Sequence, residues 1–208
     1  MGTATKTATK GERTRQRIVE LAAPVFNRQG YVGATLQDLV EATGLEKGGI
    51  YNHFGSKEQL ALEAYDYARS QVEGALAASQ DGAADPLDRM RRMIRAFSRT
   101  ARRPTIAGGC PIMNTAIEAD DTHPDLRDRA RESMTRWHRL VGRILKDGKA
   151  AGVFRDDADP YALASTITAS LEGALMLSRL YDDPAHMDRV VDHLVAHVNS
   201  LRTDGSAS

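Results

Sequence analysis

The side chains whose chemistry is easiest to interpret lie in one short segment of the chain. Asparagine can read an adenine edge through two hydrogen bonds, whereas lysine and tyrosine more often hold phosphates. Glycine lets the main chain itself come close to a bound molecule. We therefore expect this segment to contact nucleic acid. The candidate residues are Lys47, Gly48, Gly49, Tyr51, Asn52, His53 and Lys57.

Two short predicted helices joined by a glycine turn position these residues. Thr35 is a good N-cap for the first helix, and Gly44 ends it. The second helix ends near Phe54, and Ile50 lies four residues earlier, so both side chains face the core. This arrangement predicts a helix-turn-helix, whose second helix enters the major groove of DNA. An amphipathic helix over residues 13–29 supplies the third member of a small core.

A third capped helix follows directly. Ser56 and Gln59 form a predicted capping box, and Lys57 opens the helix. At that end the lysine charge and the unpaired main-chain amides can meet a phosphate. Geometry alone also allows a different interpretation, in which these helices form an ordinary αα-hairpin within a bundle.

The composition excludes several classes of protein. The 208 residues are 41% apolar and 27% charged, which is typical of a globular chain and not of a disordered one. The net charge is zero, yet residues 1–30 carry a charge of +4, which favours contact with a polyanion. The single cysteine, Cys110, excludes an intrachain disulfide framework. No run of about 18 apolar residues and no signal-peptide region occurs, so we expect a cytoplasmic protein without membrane contact.

Almost every apolar pattern has the helical period, which predicts an all-α fold of about nine helices. The two last helices are candidates for a dimer interface, because small residues between Ala164 and Ser178 allow close helix approach. An apolar seam would come from the stripe of Val190, Leu194, Val198 and Leu201. The predicted parts are a flexible basic tail (1–11), a helix-turn-helix domain (12–57), a helical effector-binding and dimerisation domain (58–201) and a flexible tail (202–208).

The stretch of residues 12–62 contains, in unbroken order, Gly30-Tyr31, Thr35, Asp38-Leu39, Ala42-Thr43-Gly44 and the run from Lys47 to Leu60. It closely resembles the N-terminal DNA-binding domain of the TetR family of bacterial transcription regulators. The resemblance implies a homodimer that binds a palindromic operator on double-stranded DNA. It also implies that a small-molecule effector releases the protein, which in most members is a repressor.

The resemblance assigns expected roles to single residues. Thr35, Tyr51 and Lys57 match positions that usually contact phosphates. Lys47, Gly48 and Asn52 match positions that face bases. Because Asn52 stands where an aromatic residue is frequent, the operator sequence cannot be copied from relatives.

The effector half is harder to interpret. Its large apolar side chains and few polar groups could line a ligand cavity, although an apolar stripe at helical spacing is more often simple core. The run from Gly108 to Glu118 and the triplet Glu172-Gly173-Ala174 look like one broad branch of the family with unrelated effectors. The candidate pocket residues are Phe97, Cys110, Met113, Asn114, Met134, Trp137, His138, Glu172 and Met176.

Cys110 supports an alternative function. Pro111 at the first helical position places Cys110 at the N-cap, where the helix dipole favours a thiolate. A regulator could thus sense oxidants or electrophiles through Cys110, or the residue could simply fill space. An enzyme would need Cys110 with His123 or His138 as a base, but no phosphate loop, nucleophile elbow or metal-ligand spacing supports one. We expect no enzymatic activity, cofactor or metal.

Overall fold

The computed structural model describes residues 9–203, apart from the side chains of residues 100 and 101. Over this range the chain forms nine α-helices and no strand, and the fold is 77% helical. The predicted all-α fold of about nine helices is confirmed. None of these helices combines the length and the apolar character needed to cross a membrane. The helices are α1 (Lys10–Gly33), α2 (Leu36–Thr43), α3 (Lys47–His53), α4 (Lys57–Ala78), α5 (Pro86–Arg102), α6 (Pro111–Ala119), α7 (Pro124–Ala150), α8 (Pro160–Leu180) and α9 (Ala185–Ser200).

The chain packs as two compact units. The N-terminal unit contains the described residues up to Ser70 together with Ile106–Leu126, and the C-terminal unit contains Gln71–Thr105 and the residues from Arg127 on. Helices α4 and α7 each contribute residues to both units. The core therefore continues across residues 57 and 58, because Leu60, Ala64 and Ala68 of α4 share a core with α1, and α6 also packs against α1. The functional boundary that we placed there stays a prediction.

The core of the N-terminal unit is built from apolar residues at helical spacing. Its fully buried members include Ile18, Ala22, Leu39, Ile50, Phe54 and Leu60. Helix α1 begins at Lys10, inside the segment predicted as a tail, because Thr9 and Glu12 form a capping box. Residues 1–8 of that predicted tail lie outside the described residues. The non-helical break within α1 occurs at Gly30, and Pro24 is accommodated inside the helix.

The C-terminal unit corrects one part of the dimer argument. Leu194, Val198 and Leu201 of the predicted seam are buried and Val190 is partly buried, because α9 packs against α5 and α8 of the same chain. The stripe on α9 is therefore core and not an exposed seam. The chain also stays ordered past Leu201: the Thr203 amide donates to the Val153 carbonyl at 3.1 Å. Residues 204–208 of the predicted C-terminal tail lie outside the described part.

Candidate DNA-binding surface

Thr35 caps α2, as its position in the sequence predicts. Its hydroxyl oxygen accepts a hydrogen bond from the Asp38 amide at 3.2 Å, and the Asp38 carboxylate accepts one from the Thr35 amide at 2.7 Å. The Thr35 hydroxyl and amide hold the pKa of Asp38 below its usual value, because both hydrogen bonds favour the carboxylate. The capping box fixes the start of α2 and leaves Thr35 exposed.

Gly44 and two buried side chains set the position of α3. Gly44 follows α2 with a φ of 68°, which glycine adopts without steric cost, and its amide donates to the Val40 carbonyl at 2.9 Å. Ile50 and Phe54 are 2% and 1% exposed and pack in the core of the N-terminal unit. One side of α3 is therefore fixed to the core. The exposed residues of α3 are Lys47, Gly48, Tyr51 and Asn52.

Arg15 holds the C-terminal end of α3 in place. Its guanidinium lies 4.1 Å from the centre of the Phe54 ring, and its Nε donates to the Glu63 carboxylate at 3.0 Å. Another guanidinium nitrogen donates to the His53 carbonyl. The planar guanidinium makes all these contacts at once because its donors have a fixed geometry. Sequence reasoning missed this role, since Arg15 and Glu63 are 48 residues apart and no short spacing connects them.

Lys57 lies at the first turn of α4, with its ammonium 4.7 Å from the centre of the Tyr31 ring. Tyr31 in turn meets the His123 ring edge-on at 4.7 Å. Burial, and secondarily the Glu58 charge, raises the pKa of Tyr31. Within residues 9–203 Lys57 has no acidic partner, so an aromatic ring orients the ammonium without neutralising its charge.

His123 links the starts of two helices. Its Nδ1 accepts a hydrogen bond from the Leu126 amide at 3.3 Å, at the N-terminus of α7. Its Nε2 lies 3.4 Å from a Glu58 carboxylate oxygen in the first turn of α4. The residue is 8% exposed. We interpret His123 as a helix cap and not as a catalytic base.

The predicted DNA contacts are at least partly exposed and lie on consecutive elements: before α2, along α3 and at the start of α4. A Cβ atom added at Gly48 would meet nothing within 4 Å, and one added at Gly49 would touch only the Leu45 side chain, at 3.6 Å. The fold itself therefore does not require glycine at either position. Their use in binding DNA stays a prediction.

Comparison with known proteins identifies this arrangement. The model of the family described as bacterial regulatory proteins, tetR family, matches residues 18–64. The model described as tetracyclin repressor-like, C-terminal domain, matches residues 86–194. The chain belongs to the TetR family. It is a helix-turn-helix transcriptional regulator.

Two solved structures and one characterised relative are similar to this protein along most of its chain. A TetR transcriptional regulator from Chloroflexus aurantiacus is 42% identical, with a TM-score of 0.90 over 93% of this chain and 98% of its own. A TetR-family regulator from Cytophaga hutchinsonii is 36% identical, with a TM-score of 0.88 over 96% of this chain and all of its own. The HTH-type transcriptional repressor DhaR from Mycobacterium sp. (strain GP1) is 26% identical over 84% of this chain and 87% of its own length.

The predicted effector-pocket residues are divided between the two units. Cys110, Met113 and Asn114 belong to the N-terminal unit. Cys110 is 7% exposed at the start of α6, and the Asn114 amide donates to the Asn27 main chain and side chain at 3.0 Å each. Asn114 is therefore engaged within its own unit. The other candidates belong to the C-terminal unit.

Two groups of candidates lie within the C-terminal unit. Met134 and His138 line a groove of about 440 Å³ with Tyr161, whose ring meets His138 edge-on at 5.4 Å. Phe97 and Trp137 pack against a small cluster from α4 and α5, and the Trp137 indole donates to the Thr168 hydroxyl at 2.8 Å. The remaining two residues lie on α8, where Glu172 is partly buried and Met176 is exposed.

Metal ligation has no support in the described part of the chain. No group of three or more His, Cys, Asp or Glu side chains there could hold a metal ion. The thiol-sensing hypothesis gains nothing either, because the burial of Cys110 limits the access of oxidants from solvent.

Proposed function

We propose that the protein is a homodimeric repressor that binds a palindromic operator in the cytoplasm and leaves it when a small-molecule effector binds. The exposed face of α3 carries the proposal. Ile50, Phe54 and Arg15 hold this helix against the core, while its polar residues stay exposed. A helix that is already ordered loses little entropy when it enters the major groove. The description of DhaR as a repressor supports repression.

The individual contacts follow from residue chemistry. Lys47, which lies 5.9 Å from the Tyr51 ring, and Asn52 would meet base edges. Thr35, Tyr51 and Lys57 would hold phosphates on either side. In a symmetric dimer the two copies of α3 would read half-sites about 34–36 Å apart, or a multiple of that distance.

The dimer surface that we propose lies on α8. Its large exposed apolar side chains are Tyr161, Met176 and Leu180, and Tyr181 follows directly after the helix. Ser165 and Ala169 are also exposed, and a Cβ added at Gly173 would meet nothing within 4 Å. A helix with small and apolar residues on its exposed side can approach a second helix closely. Replacing Met176 with glutamate should therefore yield monomers in sedimentation analysis.

The effector would bind in the C-terminal unit. The groove between Met134, His138 and Tyr161 combines apolar surface with polar groups, as small-molecule sites do. Binding of the effector and of DNA must weaken each other by the same factor, since the coupling is reciprocal. We propose no enzymatic activity, in keeping with the relatives, which are transcriptional regulators.

Fluorescence anisotropy on the DNA upstream of the protein's own gene tests this function. We expect saturable binding that resists nonspecific competitor DNA at two salt concentrations. Lys57→Ala should weaken binding and flatten its dependence on salt, because each neutralised phosphate contributes roughly 0.9 to the logarithmic slope. Lys146→Ala removes the same charge from an exposed site on α7 and serves as the matched control. Weak binding that salt abolishes, with equal effects of both variants, would contradict the proposal.

A further inference from the structure

The last turn of α1 is held by a carboxylate from α6. One Glu118 oxygen accepts a hydrogen bond from the Tyr31 amide at 2.8 Å, and the other accepts one from the Val32 amide at 2.9 Å. Gly30 makes the two amides available, because its φ of 78° and ψ of 171° interrupt the helix in a region essentially restricted to glycine. A Cβ at Gly30 would lie 2.6 Å from the same carboxylate. The close approach of Glu118 therefore requires glycine at this position.

A second contact joins the same two helices. Asn114, one turn before Glu118 on α6, donates to the Asn27 carbonyl and to the Asn27 side-chain oxygen. The Asn27 amide in turn donates to the carbonyls of Ala107 and Gly109 at 3.0 and 3.1 Å. Two polar contacts about one turn apart fix α6 in both position and rotation along α1.

The turn held by Glu118 leads directly to two predicted phosphate contacts. Tyr31 and Val32 come shortly before Thr35, the N-cap of α2. The Tyr31 ring is also the surface on which the Lys57 ammonium rests, at 4.7 Å. The helix-turn-helix is thus flanked by Thr35 at its start and Lys57 just after its end, and the segment that Glu118 anchors precedes the first and contacts the second.

We propose that Glu118 is a positioning residue for operator binding, which fixes the Tyr31–Val32 main chain so that Thr35 and Lys57 meet phosphates together. The inference rests on the proposed function, since it names how that same surface is kept in its binding geometry. Glu118 does not itself touch DNA in this scheme. It acts through Tyr31, and any displacement of α6 along α1 would change the spacing of the two contacts.

The variant Glu118→Gln tests the proposal, because the proposal and general electrostatics predict opposite changes in operator affinity. Removing a carboxylate makes the protein more positive, and general electrostatics then favours binding to DNA. The proposal requires the opposite, a loss of operator affinity of about tenfold or more, because one charge-assisted hydrogen bond is lost and the other is weakened. Asp121→Asn is the matched control, since it makes the same charge change at an exposed position in the loop after α6.

Two further readouts separate positioning from a general loss of structure. For Glu118→Gln, the slope of the logarithm of operator affinity against the logarithm of salt concentration should become shallower by roughly 0.9 for each lost Lys57–phosphate contact. The double variant that combines Glu118→Gln with Lys57→Ala should lose less affinity than the product of the two single losses, because both changes remove the same Lys57–phosphate contact. Circular dichroism and sedimentation should show that the variant remains folded and keeps its oligomeric state.

Glu118→Asp covers the case in which Glu118→Gln does not fold. It keeps the charge but shortens the side chain, so the Tyr31 and Val32 amides should exchange hydrogen faster and operator binding should fall. A wild-type protein that binds no operator would overturn the proposed function and this inference together. Normal wild-type binding, with Glu118→Gln or Glu118→Asp binding as tightly as the wild type or more tightly, would overturn the inference alone.

Discussion

Replacing Gly48 with alanine should separate the stability of α3 from its contact with DNA. Gly48 is an exposed helical residue, and a Cβ there would meet nothing within 4 Å. Alanine therefore fits without displacing any neighbour. Alanine is more favourable than glycine in a helix by about 0.5–1 kcal/mol, because glycine loses more main-chain freedom on folding. For a chain of this size the melting temperature should rise by about 1–4 °C.

The affinity of Gly48→Ala for the operator should fall, although its stability rises. If the main chain at Gly48 lies against DNA, the new methyl group occupies the space where a base edge must come. Losing one such base contact corresponds to about 1–3 kcal/mol, or roughly a five- to 150-fold weaker complex. A more stable protein that binds more weakly cannot be explained by partial unfolding.

The measurement pairs thermal unfolding with anisotropy titrations of the operator. Gly74→Ala is the matched control, because Gly74 is an exposed glycine in α4 with equally open space around it. It should gain similar stability and bind the operator like the wild type. Unchanged or tighter operator binding by Gly48→Ala would refute the reasoning that the main chain of α3 approaches DNA at this point.

Three further predictions concern stability. Gly148→Ala should destabilise the chain by about 1–3 kcal/mol in denaturant unfolding, because its Cβ would clash with the buried Phe154 ring. Arg15→Ala should cost about 2 kcal/mol, and Arg15→Lys should not restore it, since lysine cannot make the ring contact and the hydrogen bonds together. Hydrogen bonds from Thr35 lower the pKa of Asp38 below 3.8, so its contribution is present above that pH and is lost as the pH falls through the folded value. Asp38→Asn should therefore flatten the acid side of the stability–pH profile, and an unchanged profile would contradict the assignment.

The helix-turn-helix could be predicted because its determinants are local. Thr35, Gly44 and Ile50 act on residues within one or two helical turns, and each holds the place that its type and spacing predict. The capping box at α4 shows the limit of such rules. The Ser56 hydroxyl accepts a hydrogen bond from the Gln59 main-chain amide at 3.1 Å, as predicted. The Gln59 side chain, however, accepts from the Gly55 amide and not from the Ser56 amide that a capping box uses.

The apolar stripe on α9 could not be assigned from periodicity. A stripe at helical spacing shows that one side of a helix is covered, but not whether the same chain or a second copy covers it. Leu194 and Val198 of the predicted stripe are covered by α5 and α8 of their own chain. The apolar surface that stays exposed is on α8, where small residues and isolated large ones give a weaker pattern.

The run from Gly108 to Glu118 shows why polar residues in an effector half need not mark a ligand. Asn114 and Glu118 are four residues apart on α6, and Asn27 and Gly30 are three apart on α1, so each pair lies on one side of its helix. Where these two sides meet, the Asn114 and Asn27 side chains form an amide pair, and the Glu118 carboxylate accepts hydrogen bonds from main-chain amides at the end of α1. Sequence reasoning singled out Gly30-Tyr31 and the run ending at Glu118, but not Asn27, and it could not join the two segments because 87 residues separate Glu118 from Tyr31. A polar pair at i and i+4 opposite a glycine break is therefore as consistent with a contact between helices as with a ligand pocket, and Asn114 belongs to the first kind.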